Sequence, residues 1–216
     1  MNDIEVRVLG SLVEKQVTTP EYYPLTINAL TLACNQKNNR NPVTSYDENA
    51  VAEALETLRE KNLVYVFHGS TSRVPKYKHV MPEVMHLSPS EMAIICVLML
   101  RGTQTPGELR GNASRLYEFS GLDEIQQTLD SLISREPEPL VMRLPRQPGQ
   151  KEVRFAHLLS GPIDVDAAVT EHAARVSASR VSQSERVDKL EQEVATLAAT
   201  MQKLQEQFEE FKRQFE

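Results

Sequence analysis

Glu53-Ala54-Leu55-Glu56-Thr57-Leu58, then Leu63-Val64, then Lys76-Tyr77-Lys78-His79: this stretch decides the fold, because the chain repeats its plan. The second copy reads Gln127-Thr128-Leu129-Asp130-Ser131-Leu132, then Leu140-Val141, then Arg154-Phe155-Ala156-His157. In each copy, apolar positions at helical spacing give way to an extended start, a polar turn and a second extended run. Working outward, two further helices precede each copy, with a Thr-Pro step after the first, Thr19-Pro20 and Thr105-Pro106. The order helix, helix, helix, strand, turn, strand is the winged form of the helix-turn-helix. The chain is therefore expected to be mainly α with small β-wings (α+β), as two tandem winged-helix domains over residues 1–82 and 86–160.

The first helix is expected over about Asp3 to Gln16, where Ile4, Val8, Leu9, Leu12 and Val13 share a face. A second helix over Leu25 to Asn35 ends at the polar loop Asn35 to Pro42, and a third runs over Asp47 to Lys61. Strands follow over Leu63 to Phe67 and Val74 to Val80, with His68 to Arg73 as a wing between them. In the second copy, Ser88-Pro89-Ser90-Glu91 and Thr105-Pro106-Gly107-Glu108 each read as a helix start with a capping box and an early proline. The apolar run Met92 to Leu100 predicts a helix buried nearly all round, where the two copies meet. A third helix over Leu122 to Arg135 and strands over Leu140 to Leu144 and Glu152 to Leu158 flank a wing tip at Pro145 to Gln150.

After Gly161-Pro162 the composition changes. Ala, Ser and scattered charge fill 161–184, a linker or helix start, and a heptad seam then occupies 185–216. Val187, Leu190, Val194, Leu197, Met201, Leu204, Phe208 and Phe211, continued by Phe215, alternate by three and four with no Gly or Pro among them. Valine and leucine at alternate core positions predict a parallel coiled-coil homodimer. A single amphipathic helix folded back on its own chain is the competing expectation.

The 216 residues carry a net charge of −6, spread without a basic segment: 9 basic against 9 acidic residues in 1–80, 8 against 10 in 81–161, 7 against 11 in 162–216. No stretch has the basic excess that drives non-specific binding to nucleic acid, so any such contact must be local. An acidic start without a signal-peptide core, and no apolar run near the roughly 18 residues of a membrane span, predict a cytoplasmic protein with no membrane partner. Cys34 and Cys96 lie in apolar helical segments and read as buried thiols. The five histidines have no metal-ligand spacing, Gly102 to Gly107 lacks the Gly-Lys-Ser/Thr ending of a phosphate loop, and no nucleophile sits in an elbow motif. The expectation is a non-enzyme with no catalytic residues, no metal and no cofactor.

In a helix-turn-helix the start of the third helix enters the major groove. Here those positions hold Asp47, Glu48, Asn49 and Glu53, and Asp123, Glu124, Gln126 and Gln127. Carboxylates there would meet phosphates, which moves the expected DNA contacts to other cations. These are Lys37 and Arg40 in the loop, Arg73, Lys76 and Lys78 along the first wing, and Arg143, Arg146, Lys151 and Arg154 along the second. Ordinary solvated edge charges are the competing reading of the wing cations, and local turn bonding that of the Asn-rich loop.

Several stretches resemble the YceH-like family of uncharacterised bacterial proteins. They are Leu12-Val13-Glu14-Lys15-Gln16-Val17-Thr18-Thr19-Pro20 with Tyr23-Pro24-Leu25, and Ala33-Cys34-Asn35-Gln36-Lys37 through Asn39-Arg40 and Pro42-Val43. In the second copy they are Leu100-Arg101-Gly102, Gln104 to Arg110, Leu116-Tyr117-Glu118-Phe119 and the Arg154 to His157 strand. The resemblance implies a pair of winged-helix domains and no established activity, so it transfers no site residue. Together these readings predict a regulator that contacts DNA through wings and loop. The alternative is an adaptor that binds an unidentified protein partner through the acidic third helices and the coiled coil.

Overall fold

In a computed structural model of the chain, the structure describes residues 1–67, 74–146 and 152–162, with Thr196 and Met201 as single positions. Residues 1–163 form one compact unit and 164–216 a second. The described residues are α+β: seven α-helices and two small antiparallel sheets.

Helix α1 (Asp3–Thr18) opens on a capping box in which Asn2 and Glu5 satisfy each other's backbone N–H groups. A 3-10 turn at Pro20–Tyr22 leads to β1 (Leu25–Thr26), α2 (Ile27–Cys34), α3 (Glu48–Glu60), β2 (Val64–Phe67) and β3 (Lys76–His79). A short α4 (Met81–Met85), not expected from the sequence, buries Met81 and ends at His86 in a left-handed conformation. The second half comprises α5 (Pro89–Arg101), α6 (Pro106–Ala113), α7 (Leu122–Ile133), β4 (Val141–Arg143) and β5 (Phe155–His157). The first sheet is ordered β1-β3-β2; the second is the β4-β5 ribbon.

Two backbone hydrogen bonds recur at corresponding places in the two halves. Leu63 N donates to Leu58 O at 2.9 Å, and Leu140 N to Leu132 O at 3.0 Å. Val80 N donates to Leu63 O at 3.0 Å, and Leu158 N to Leu140 O at 2.8 Å. Val64 faces His79 as Val141 faces His157. Leu25 pairs with Tyr77, and its counterpart Gln104 bridges Phe155.

That last correspondence corrects the expected alignment. Thr105 caps α6, its side chain accepting from Glu108 N, and the residue in the same place in the first half is Thr26, which caps α2 and accepts from Ala29 N. Thr19-Pro20 instead opens the 3-10 turn, an extra piece between the first two helices. The second helix therefore starts at Ile27, because Leu25 and Thr26 are drawn into the sheet by Tyr77 and Lys76.

The first helices of the two halves form the centre. Every residue from Met92 to Leu100 on α5 is buried, and so is every residue from Glu5 to Glu14 on α1. They pack tightly at Gly10, where a Cβ would lie 3.0 Å from Leu100 Cδ2 and 3.1 Å from Met99 Cβ. The Cys96 thiol donates to Gly10 O at 3.5 Å, and both cysteines are free and buried. Burying each large apolar side chain here stabilises the unit by about 1.5–3 kcal/mol, and the seam belongs to one apolar cluster that draws on both halves.

Candidate functional site

The β2-β3 ribbon is amphipathic because strand side chains alternate between faces. Val64 opposite His79 forms the buried end of one face, on which Tyr77 also packs against the core. The other face is set by register: Tyr65 lies opposite Lys78, and Phe67 opposite Lys76. Directly opposed residues share a face, so two aromatic rings and two ammonium groups stand side by side. Tyr65 is 51% and Phe67 48% exposed, Lys78 is exposed and Lys76 half-buried. Thr26, opposite Lys76 on the next strand, extends the same face. Large apolar rings left in water beside cations are the feature this surface has to explain.

The second ribbon does not repeat it. The positions corresponding to Tyr65 and Lys78 are Met142 and Ala156, which face each other. Arg154, which corresponds to Lys76, is held by Glu108 in a two-pronged bond of 2.8 and 3.0 Å and also donates to Thr103 O at 3.0 Å. Arg143 and Arg146 are exposed there. Arg73 and Lys151 lie outside the described residues.

Arg40 is the clear correction. It is 6% exposed, and its guanidinium reaches both Glu14 oxygens, at 3.2 and 2.6 Å, and the carbonyls of Ala33 and Asn39. Burial alone would raise the Glu14 pKa, but the hydrogen bonds and charge of Arg40 outweigh it and leave the carboxyl below its usual value. A cation spent in this way cannot meet a phosphate without breaking its hydrogen bonds to a buried carboxylate, whose other cation, Lys15, is 3.6 Å away. The loop around it also bonds inward: Asn35 donates to Tyr46 O at 2.7 Å and accepts from Tyr46 N at 2.8 Å, and Asn41 N donates to Leu100 O at 2.9 Å. Lys37 is the exposed cation of that loop among the expected contacts.

The third helices keep their acid. Asp47 caps α3 by accepting from Ala50 N, and Glu48 accepts from Asn28 at 3.0 Å. Asn49, Glu53, Glu56 and Glu60, spaced by four and three, form an exposed stripe along it. On α7, Glu124 accepts from Ser120 N, Ser120 Oγ and Tyr117 Oη, and Gln126 donates to Asp130. Of the heptad seam, Met201 alone falls within the described residues, 72% exposed; Val187, Leu190, Val194, Leu197, Leu204, Phe208 and Phe211 lie outside them.

Tyr65 and Phe67 are the residues that sequence reasoning missed. Their alternation in Val64-Tyr65-Val66-Phe67 was visible, yet either face could have been the buried one until pairing set the register. Among the described residues no three His, Cys, Asp or Glu side chains are grouped to hold a metal ion, and no helix is long and apolar enough to cross a membrane.

Comparison with known proteins gives a consistent picture. The family model described as "Protein of unknown function, DUF480" matches residues 1–150. A UPF0502 protein of Geobacter sulfurreducens is 50% identical over 219 aligned residues, covering 100% of this chain and 98% of its own length. One from Opitutus terrae is 54% identical over 168 residues, 78% of this chain and 73% of its own. Another, from Enterobacter sp. strain 638, is 48% identical over 204 residues, 93% and 94% respectively.

Proposed function

We infer that this chain, which belongs to the DUF480 family of bacterial UPF0502 proteins, is a non-enzymatic regulator that contacts DNA through its first ribbon. The repeated hydrogen bonds support reading each half as a winged-helix domain, with the two ribbons as wings. The observation that carries the DNA contact is the register placing Tyr65 beside Lys78 and Phe67 beside Lys76 on an exposed face. Ammonium groups on such a face bind phosphates, and the rings between them pack on sugars or exposed bases. The contact is local, as the net charge of −6 requires. The heptad spacing of the sequence after residue 184 supports a dimer, in which two ribbons reach one duplex and raise avidity without new contacts.

The test is fluorescence anisotropy of a labelled random duplex titrated with the full chain at rising salt. Binding should weaken steeply as salt increases, each lysine–phosphate contact adding about 0.9 to the logarithmic slope. Absence of binding at low salt would reject the reading. The exposed stripe Glu53, Glu56 and Glu60 favours a second one, an adaptor whose acidic α3 receives a basic protein surface. In that case Glu53→Lys with Glu56→Lys abolishes partner capture from a lysate, whereas Lys76→Ala leaves it intact.

A further inference from the structure

A cavity of about 180 Å³ lies where α1, β3 and α4 of the first half meet the start of α5. Its walls are apolar: Val13 and Val17 from α1, Pro82 from α4, Met92 from α5 and Leu116 beyond α6. Three polar residues join them: Gln16 and Ser88, both exposed at the rim, and His79, which is 4% exposed.

The bonds around His79 fix what its ring offers. Its backbone N–H donates to Tyr23 Oη at 2.7 Å, and Met81 N donates to Nδ1 at 3.4 Å. A nitrogen that accepts carries no proton, so in the neutral ring the proton sits on Nε2. Burial, with a smaller contribution from the Lys78 charge, pushes the pKa down from 6.5 to about 4, so the ring is neutral near pH 7. His79 Nε2 is buried and has no hydrogen-bond partner. An unmet buried donor costs about 1–3 kcal/mol and usually finds water or a ligand.

We propose that this cavity is a binding site for a small, uncharged, ring-sized molecule bearing one acceptor oxygen, which takes the proton of His79 Nε2–H. The size fits, since an apolar cavity of about 150 Å³ holds a benzene ring. The chemistry fits as well: no charged side chain lines the space, so an ion would be desolvated without compensation, while a carbonyl oxygen gains the one lining donor that is buried without a partner, Gln16 and Ser88 being exposed. The position gives binding a route to an effect, because His79 follows Lys78 directly on β3, the strand that supplies both lysines of the exposed face. The site stands independently of DNA contact and is tested without it.

The experiment titrates the full chain with cyclohexanone and with methylenecyclohexane, which has the same shape and no acceptor, followed by NMR of the histidine ring and methionine methyl signals. Cyclohexanone should bind saturably, with affinity on the order of millimolar, and shift the His79 and Met92 signals. Methylenecyclohexane should bind about tenfold more weakly, the equivalent of one hydrogen bond. His79→Phe should abolish that preference. Should this variant fail to fold, Val17→Trp, at a position 45% exposed, closes the space from the rim and should abolish binding of both probes. Equal affinity for the two probes, no saturable binding of cyclohexanone, or unchanged binding in Val17→Trp would each overturn the proposal.

Discussion

Arg40 and Glu14 form a pair whose contribution depends on both members being present. The guanidinium also ties down two backbone carbonyls, so removing it strips a carboxylate at 5% exposure of its hydrogen-bonded counter-charge, with Lys15 Nζ left 3.6 Å away, and opens the Asn-rich loop. Arg40→Ala should cost about 3–5 kcal/mol in urea unfolding at pH 7. The pH dependence has a definite sign. Glu14 is more acidic in the folded chain than its ordinary 4.5, so the unfolded chain takes up the proton first as pH falls. The pair's stabilisation is complete above about pH 4.5 and is lost as pH drops through the lower folded value. Glu14→Gln should therefore be less stable at pH 7 yet lose stability less steeply below pH 5, and an equal slope in both proteins would contradict the pairing. Arg40 lies between two asparagines in a stretch as polar as any surface loop. Nothing local in the sequence indicates a partner on α1, 26 residues earlier.

At the scale of elements, the start of each half depends on close approach between α1 and α5. Gly10 lacks a Cβ where Met99 and Leu100 come nearest, so Gly10→Val should destabilise the unit by about 2 kcal/mol or more through overpacking. Gly111 on α6 is the internal control. A Cβ there meets nothing within 4 Å, and Gly111→Ala should raise stability by up to about 1 kcal/mol through helix propensity. Thermal unfolding of both variants checks the contrast, and the account fails if both shift alike. Helices were legible wherever a local signal marked them. The capping boxes of Ser88 with Glu91 and Thr105 with Glu108 form as their spacing implies, and α3 and α7 lie within a residue or two of the expected limits. The burial of α5 could be read from nine apolar residues in a row, whereas that of α1 could not. Glu5, Arg7 and Glu14 look like a solvated face until Lys61, Cys34 and Arg40 supply their partners. The Thr-Pro resemblance was misleading for a related reason: two residue types matched, while the sheet pairing that fixes equivalence was not visible along the chain.

For the whole molecule, the two halves share a strand pairing and differ in the face their ribbons present. The first ribbon keeps aromatic and lysine pairs on its outer face. In the second, Met142 opposes Ala156, and Arg154 is bound to Glu108. The α+β class was legible from sequence; this asymmetry was not, because it depends on register and on a salt bridge across 46 residues. Light scattering on the full chain and on a chain ending at Gly161 tests the proposed dimer. The full chain should weigh about twice its 24.4 kDa and the shorter one should be a monomer. Two monomers would reject the coiled coil. The most direct test of the central claim is to compare Lys76→Ala with Lys78→Ala, and Arg143→Ala with Arg146→Ala, each as a double variant in the duplex titration. Loss of both lysines should lower affinity most and reduce the salt slope by about 2, with a smaller effect from the two arginines. Equal binding by the Lys76/Lys78 double variant and the unaltered protein would contradict the account.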